Sequence, residues 1–77
     1  MDINQRLAER VRGLRASRGL SLEALAAKSG VSRSMISLIE RGESSPTAVV
    51  LDKLAVALGV TMAMLFDAAA GAQPPQE

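Results

Sequence analysis

Arg33, Ser37 and Arg41 recur every fourth residue, with Ser34 and Leu38 between them. At helical spacing such residues line one face. The chemistry available there is hydrogen-bond donation. A guanidinium forks two donors onto a guanine edge or grips a phosphate, and short hydroxyls let a backbone approach closely. Catalysis has no comparable support. The 77 residues contain no histidine and no cysteine. Serine therefore lacks its usual base, thiol chemistry is excluded, and the usual zinc ligands are missing. Lys28-Ser29 falls at a helix end with no oxyanion loop beside it, and the acidic residues are scattered singly. No enzyme, metal site or cofactor is expected.

The elements that must position this face follow from local signals. Ser21 is an N-cap, and Leu22, Leu25, Ala26 and Ser29 then share a face of a short helix. Gly30 stops that helix, Val31 pins the turn, and Ser32 caps a second helix running to about Arg41, with Gly42 ending it. The inner side of the second helix carries Val31, Met35, Ile36 and Ile39.

Upstream, Asp2-Ile3-Asn4-Gln5 has the form of a capping box, and a helix is predicted from Ile3 to about Ser17. Its buried stripe is Ile3, Leu7, Val11 and Leu14; Arg18-Gly19 ends it and Leu20 folds back. Downstream, Pro46 interrupts the loop and Thr47 caps a helix over 48–58, with Leu51, Leu54, Ala55 and Leu58 inward. After Gly59 and Val60, Thr61 caps a last short helix from Met62 to Phe66. Phe66, the only aromatic residue, reads as a core plug. Residues 1–67 thus form one all-α domain of five helices, and 68–77, AAAGAQPPQE, read as a flexible tail or linker.

Net charge is only +1, but it is uneven. Between residues 3 and 41, eight basic residues face three acidic ones, a local excess able to steer a polyanion. No apolar run reaches the roughly 18–20 residues of a membrane span, and no signal-peptide core is evident, so the expected compartment is the cytoplasm.

The stretch from Ser21 to Gly42 resembles the helix-turn-helix of the phage repressor/Cro family, also called the xenobiotic-response-element type. The resemblance rests on Leu25-Ala26, Gly30-Val31-Ser32, Ile36 and Ile39-Glu40-Arg41-Gly42. It extends upstream to Arg12, Leu14 and Arg15 and downstream to Pro46-Thr47 and the run from Leu54 to Val60, covering about residues 3–67. The stretch from Ser34 to Val60 is especially similar to regulators that carry a C-terminal cupin sensor domain. The chain then reads as a stand-alone regulator or as the DNA-binding end of a larger one.

The resemblance implies a compact five-helix, lambda-repressor-like domain that binds double-stranded DNA and regulates transcription, with the helix over 32–41 in the major groove. It makes Arg33, Ser34 and Ser37 base readers; Leu38 would touch a thymine methyl or border the groove. It assigns phosphate contacts to Arg41, to Ser32, to Ser44, Ser45 and Thr47 in the following loop, and to the helix start at Leu22 and Glu23. Arg15 and Glu40 would form a structural ion pair. Two departures are evident: Leu22 stands where many relatives have Gln, and Leu38 where they often have Arg or Gln. Val49, Val56, Met64 and nearby Phe66 form a candidate dimer or interdomain surface. A homodimer on a pseudo-palindromic site is expected, with no membrane and no small-molecule partner. Two other classes stay open: a protein-interaction module such as an antitoxin, and RNA binding. A single aromatic residue offers no stacking platform for the latter.

Overall fold

A computed structural model describes residues 2–66. Five helices follow in order: α1 (Ile3–Ser17), α2 (Leu22–Ser29), α3 (Arg33–Glu40), α4 (Ala48–Leu58) and α5 (Met62–Phe66). The proposed tail over 68–77 lies outside the described residues, as does Asp67.

Each helix starts where a short polar side chain meets an otherwise unpaired N–H group. Asp2 Oδ1 accepts from Gln5 N at 2.8 Å, Ser21 Oγ from Ala24 N at 3.0 Å, and Ser32 Oγ from Met35 N at 3.1 Å. Thr47 Oγ1 accepts from Val50 N, and Thr61 Oγ1 from Met64 N, both at 3.2 Å. Gly30 ends α2 at φ +77°, a left-handed conformation that costs a residue with a Cβ about 1–2 kcal/mol. At the end of α3, Gly42 N donates to Ile39 O at 3.0 Å and Glu43 N to Leu38 O at 2.9 Å. That is a complete Schellman motif built on Gly42 at φ +73°.

The helices pack as a closed ring: α1 on α3, α3 on α2, α2 on α4, α4 on α5, and α5 back on α1. Inside it lie Leu7, Val11, Leu14, Leu25, Val31, Ile36, Ile39, Leu51, Leu54, Ala55, Leu58 and Leu65, all buried. Leu20, Leu22, Met35, Val60 and Phe66 pack against them from the edge. In such a ring α3 is clasped mainly by α1 and α2, and its remaining side is open.

Two local expectations change. Ile3 is 60% exposed and does not belong to the buried stripe. Over that first turn of α1 stands the polar loop after α3, where Asn4 Nδ2 donates to Ser45 Oγ at 2.9 Å. The capping box at Asp2 is only half made. Gln5 supplies its backbone N–H, but its side-chain amide sits against Gly42, 3.1 Å from where a Cβ would stand.

Candidate nucleic-acid interface

The open side of α3 is a product of its two neighbours. Ile36 and Ile39 are buried, so Arg33, Ser34 and Arg41 are exposed on the other side, with Ser37 and Leu38 half-exposed between them. Unpartnered N–H groups bracket the helix. Near its start, Ser21 takes the N–H of Ala24 and Leu25, and among the described residues the N–H groups of Leu22 and Glu23 meet no acceptor. Past its end, the N–H groups of Ser44, Ser45 and Thr47 likewise meet none. Such groups are ready donors to an anion.

The side chains of this loop divide. Ser45 Oγ accepts from Asn4 and keeps its own proton to donate, as Thr47 Oγ1 does while capping α4. Ser44 turns inward instead, donating its hydroxyl to Met35 Sδ at 3.6 Å, so only its backbone remains available. Ser32 Oγ serves as the α3 cap and lies 3.5 Å from Ser34 Oγ.

What fixes α3 is on α1. Arg15 Nε donates to Glu40 Oε2 at 2.6 Å and Nη2 to Oε1 at 2.9 Å, while Nη1 donates to Leu20 O at 2.9 Å. The Glu40 side chain is 8% exposed and that of Arg15 19%. The hydrogen bonds to Glu40 raise the Arg15 pKa, burial works against them, and the carboxylate charge adds to the rise. Arg15 therefore stays charged up to strongly alkaline pH. Arg12 Nη1 adds a bond to Glu40 O at 2.7 Å.

Three arginines of this segment share that second habit. Besides Arg12 at the end of α3, Arg18 Nε donates to Leu58 O at 2.7 Å, closing α4, and Arg10 Nε donates to Met64 O at 2.8 Å on α5. Cations at helix C-termini are favoured because the last carbonyls point there unpaired. Arg10, Arg12, Arg15 and Arg18 tie the ring together; of these only Arg15 is paired with a carboxylate, and Arg12 and Arg18 stay exposed with their charge, so the local basic excess persists. Of the rest, Arg33 Nε lies 2.8 Å from Glu23 Oε2 and Arg41 Nη2 3.5 Å from Glu43 Oε1. Apart from Arg41–Glu43, two residues apart, these pairings span distances in sequence that no helical period announces.

On the opposite part of the ring, Val49 is 64% exposed, Val56 73% and Met64 37%; Phe66 is half-buried against the core. Among the described residues no helix is long and apolar enough to cross a membrane, and no cluster of three potential metal ligands occurs.

A short capped helix, a left-handed glycine turn and a second helix with one open polar side define a helix-turn-helix nucleic-acid-binding domain. Comparison with known proteins agrees. The helix-turn-helix family model HTH_3 matches residues 11–65, and the chain belongs to this family. It is 41% identical over 68 residues to the HTH-type transcriptional regulator SutR of Escherichia coli (strain K12), covering 88% of this chain and 38% of SutR. It is 43% identical over 66 residues to control protein C.SmaI of Serratia marcescens, covering 86% of this chain and 79% of that protein. Among solved structures, the restriction-modification controller protein C.AhdI of Aeromonas hydrophila superposes with a TM-score of 0.79 at 40% identity, over 82% of this chain and 96% of that one. The chain therefore spans about two-fifths of SutR and most of the two control proteins.

Proposed function

We propose that this chain is a cytoplasmic, sequence-specific regulator of transcription that inserts α3 into the major groove of duplex DNA. The observation that carries the reading is the open side of α3, bracketed at both ends by unpartnered backbone N–H groups. A groove-bound helix needs base-reading side chains in the middle and phosphate donors at its margins. In this reading Arg33, Ser34 and Ser37 read base edges, with Leu38 at the groove wall. Arg41, Ser45, Thr47 and the backbone of Leu22, Glu23 and Ser44 hold phosphates. Ser32 adds its hydroxyl proton. Names of relatives such as SutR and C.SmaI, a regulator and a control protein, support the same assignment.

The protein binds as a homodimer in this reading, through the exposed side of α4 and α5 that carries Val49, Val56 and Met64, with Phe66 at its margin. Three exposed apolar side chains on the neighbouring helices α4 and α5, across the ring from α3, support that surface. A two-fold pair would set two α3 helices roughly 34 Å apart, one turn of DNA, on a pseudo-palindromic site.

Selection of a preferred duplex from random DNA, followed by quantitative binding of variants, tests the proposal. Arg33→Ala should cost about 1–3 kcal/mol on the selected site and relax one base position. Arg41→Ala should weaken selected and random duplexes by the same factor. Unchanged base preference in Arg33→Ala would show that α3 does not read bases through its first residue.

A further inference from the structure

The C-terminal end of a helix is ordinarily a poor place for an anion. Its last four carbonyls lack partners inside the helix and together carry about half a negative charge. In α3 all four are taken. Arg41 N donates to Ser37 O at 3.1 Å, Glu43 N to Leu38 O at 2.9 Å, Gly42 N to Ile39 O at 3.0 Å, and Arg12 Nη1 to Glu40 O at 2.7 Å. The first three donors are backbone groups of the turn that follows. The fourth is a cation from α1, and it brings a full charge to this end of α3.

That charge meets no carboxylate among the described residues. The Glu40 side chain is bound by Arg15, and Glu23 and Glu43 stand beside Arg33 and Arg41. Arg12 itself is exposed. α1 also fixes what lies next to it. Gln5, seven residues or about two turns earlier on the same side of α1, sets its side-chain amide against Gly42. Asn4 Nδ2 donates to Ser45 Oγ at 2.9 Å. The loop over 42–45 is therefore seated along α1. The unpartnered N–H groups of Ser44 and Ser45 follow directly on the helix end that Arg12 covers.

We infer that Arg12 is a phosphate-contacting residue, which covers the C-terminus of α3 and turns it from an end that repels the DNA backbone into one that holds it. The inference rests on the groove placement of α3 proposed above, since a helix in the groove brings both its ends near phosphates. A water or a neutral donor would satisfy Glu40 O equally well but would add no charge. A tie between α1 and α3 is already supplied by the bidentate pair of Arg15 and Glu40. What Arg12 adds is an exposed cation beside free backbone donors, the combination that binds an anion.

The deciding measurement is the salt dependence of affinity for Arg12→Gln, Arg12→Lys and Arg6→Gln, on the selected and a random duplex, well below each variant's thermal midpoint. Loss of one phosphate contact flattens the slope of log affinity against log salt by about 0.9 per protomer, and lowers affinity about 5-fold near 0.15 M salt. Arg12→Gln should show both, by the same factor on the two duplexes, because a phosphate carries no sequence. Arg12→Lys keeps the charge and a donor for Glu40 O, and should keep the slope. Arg6 is exposed and lies about 120° round α1 from Arg12, so Arg6→Gln removes an equal charge on another side and should leave the slope unchanged. If Arg12→Gln lowered the unfolding midpoint but kept the parental slope, Arg12 would be a helix cap alone and the inference would be overturned. Equal flattening by Arg6→Gln and Arg12→Gln would overturn it as well, by showing a general effect of charge. Should Arg33→Ala relax no base position while Arg12→Gln still flattens the slope, base reading by Arg33 would fail and the phosphate contact would stand.

Discussion

Replacing Arg15 with Met should be the most damaging conservative-volume change on α1, and more damaging than replacing its partner. Met keeps most of the apolar stem but removes three hydrogen bonds, two to Glu40 and one to Leu20 O. What remains is a carboxylate whose side chain is 8% exposed, with no other side chain donating to it among the described residues. Removing one partner of a fully buried pair costs about 3–5 kcal/mol. Because Arg15 is 19% exposed, water can reach part of the vacated space, and about 2–3 kcal/mol is the fitting estimate. A domain this small has roughly 4–11 kcal/mol in total at typical per-residue stability. Its thermal midpoint should therefore fall by about 10–20 °C. Glu40→Gln should cost less, about 1–2 kcal/mol, since the amide oxygen still accepts one bond and Arg15 keeps Leu20 O. Urea and thermal unfolding followed by far-UV circular dichroism give both values, and a double-mutant cycle gives their coupling. Coupling near zero, or a Glu40→Gln loss equal to that of Arg15→Met, would refute the reasoning. The raised Arg15 pKa fixes the pH sense. A cation whose pKa rises on folding stabilises the fold below its unfolded value and loses that contribution only as pH climbs through the folded one, here in the strongly alkaline range.

Three further outcomes are expected. Gly42→Ala should cost about 1–2 kcal/mol through the left-handed backbone, and adding Gln5→Ala should recover little of it, since a side-chain amide can shift but φ +73° cannot; chemical denaturation of the single and double variants checks this. Arg12→Ala should cost about 1 kcal/mol by freeing Glu40 O, and should add to rather than replace the Arg15 effect, as unfolding midpoints of the pair will report. Val56→Glu with Met64→Glu should abolish self-association in sedimentation and cooperative binding to a two-half-site duplex, while leaving single-half-site binding intact; a monomeric parent binding a palindrome without cooperativity would rule out that interface.

Helix limits were legible because their causes are local. Ser21, Ser32, Thr47 and Thr61 each cap an N–H three residues away, and Gly30 sits at a turn that only its backbone freedom favours. The inward positions Leu7, Val11, Leu14, Leu25, Ile36, Ile39, Leu51, Leu54 and Leu58 follow from a helical period that survives folding unchanged. Ile3 has the same period and is exposed, since periodicity specifies a face but not whether a neighbour covers it. The family resemblance, rather than any spacing, links Arg15 to Glu40 across 25 positions. Nothing local distinguishes Arg10, Arg12 and Arg18 from a free basic stripe. They become helix ties only when the ring closes and brings carbonyls 54, 28 and 40 positions away within reach. Glu23 meets Arg33 for the same reason, because the angle at which α3 crosses α2 sets the gap between their first turns. The sequence by itself determined where each helix begins, ends and turns its apolar side. Only the tertiary structure decided which arginines tie one helix to another, because those partners are chosen by packing geometry between helices and not by distance along the chain.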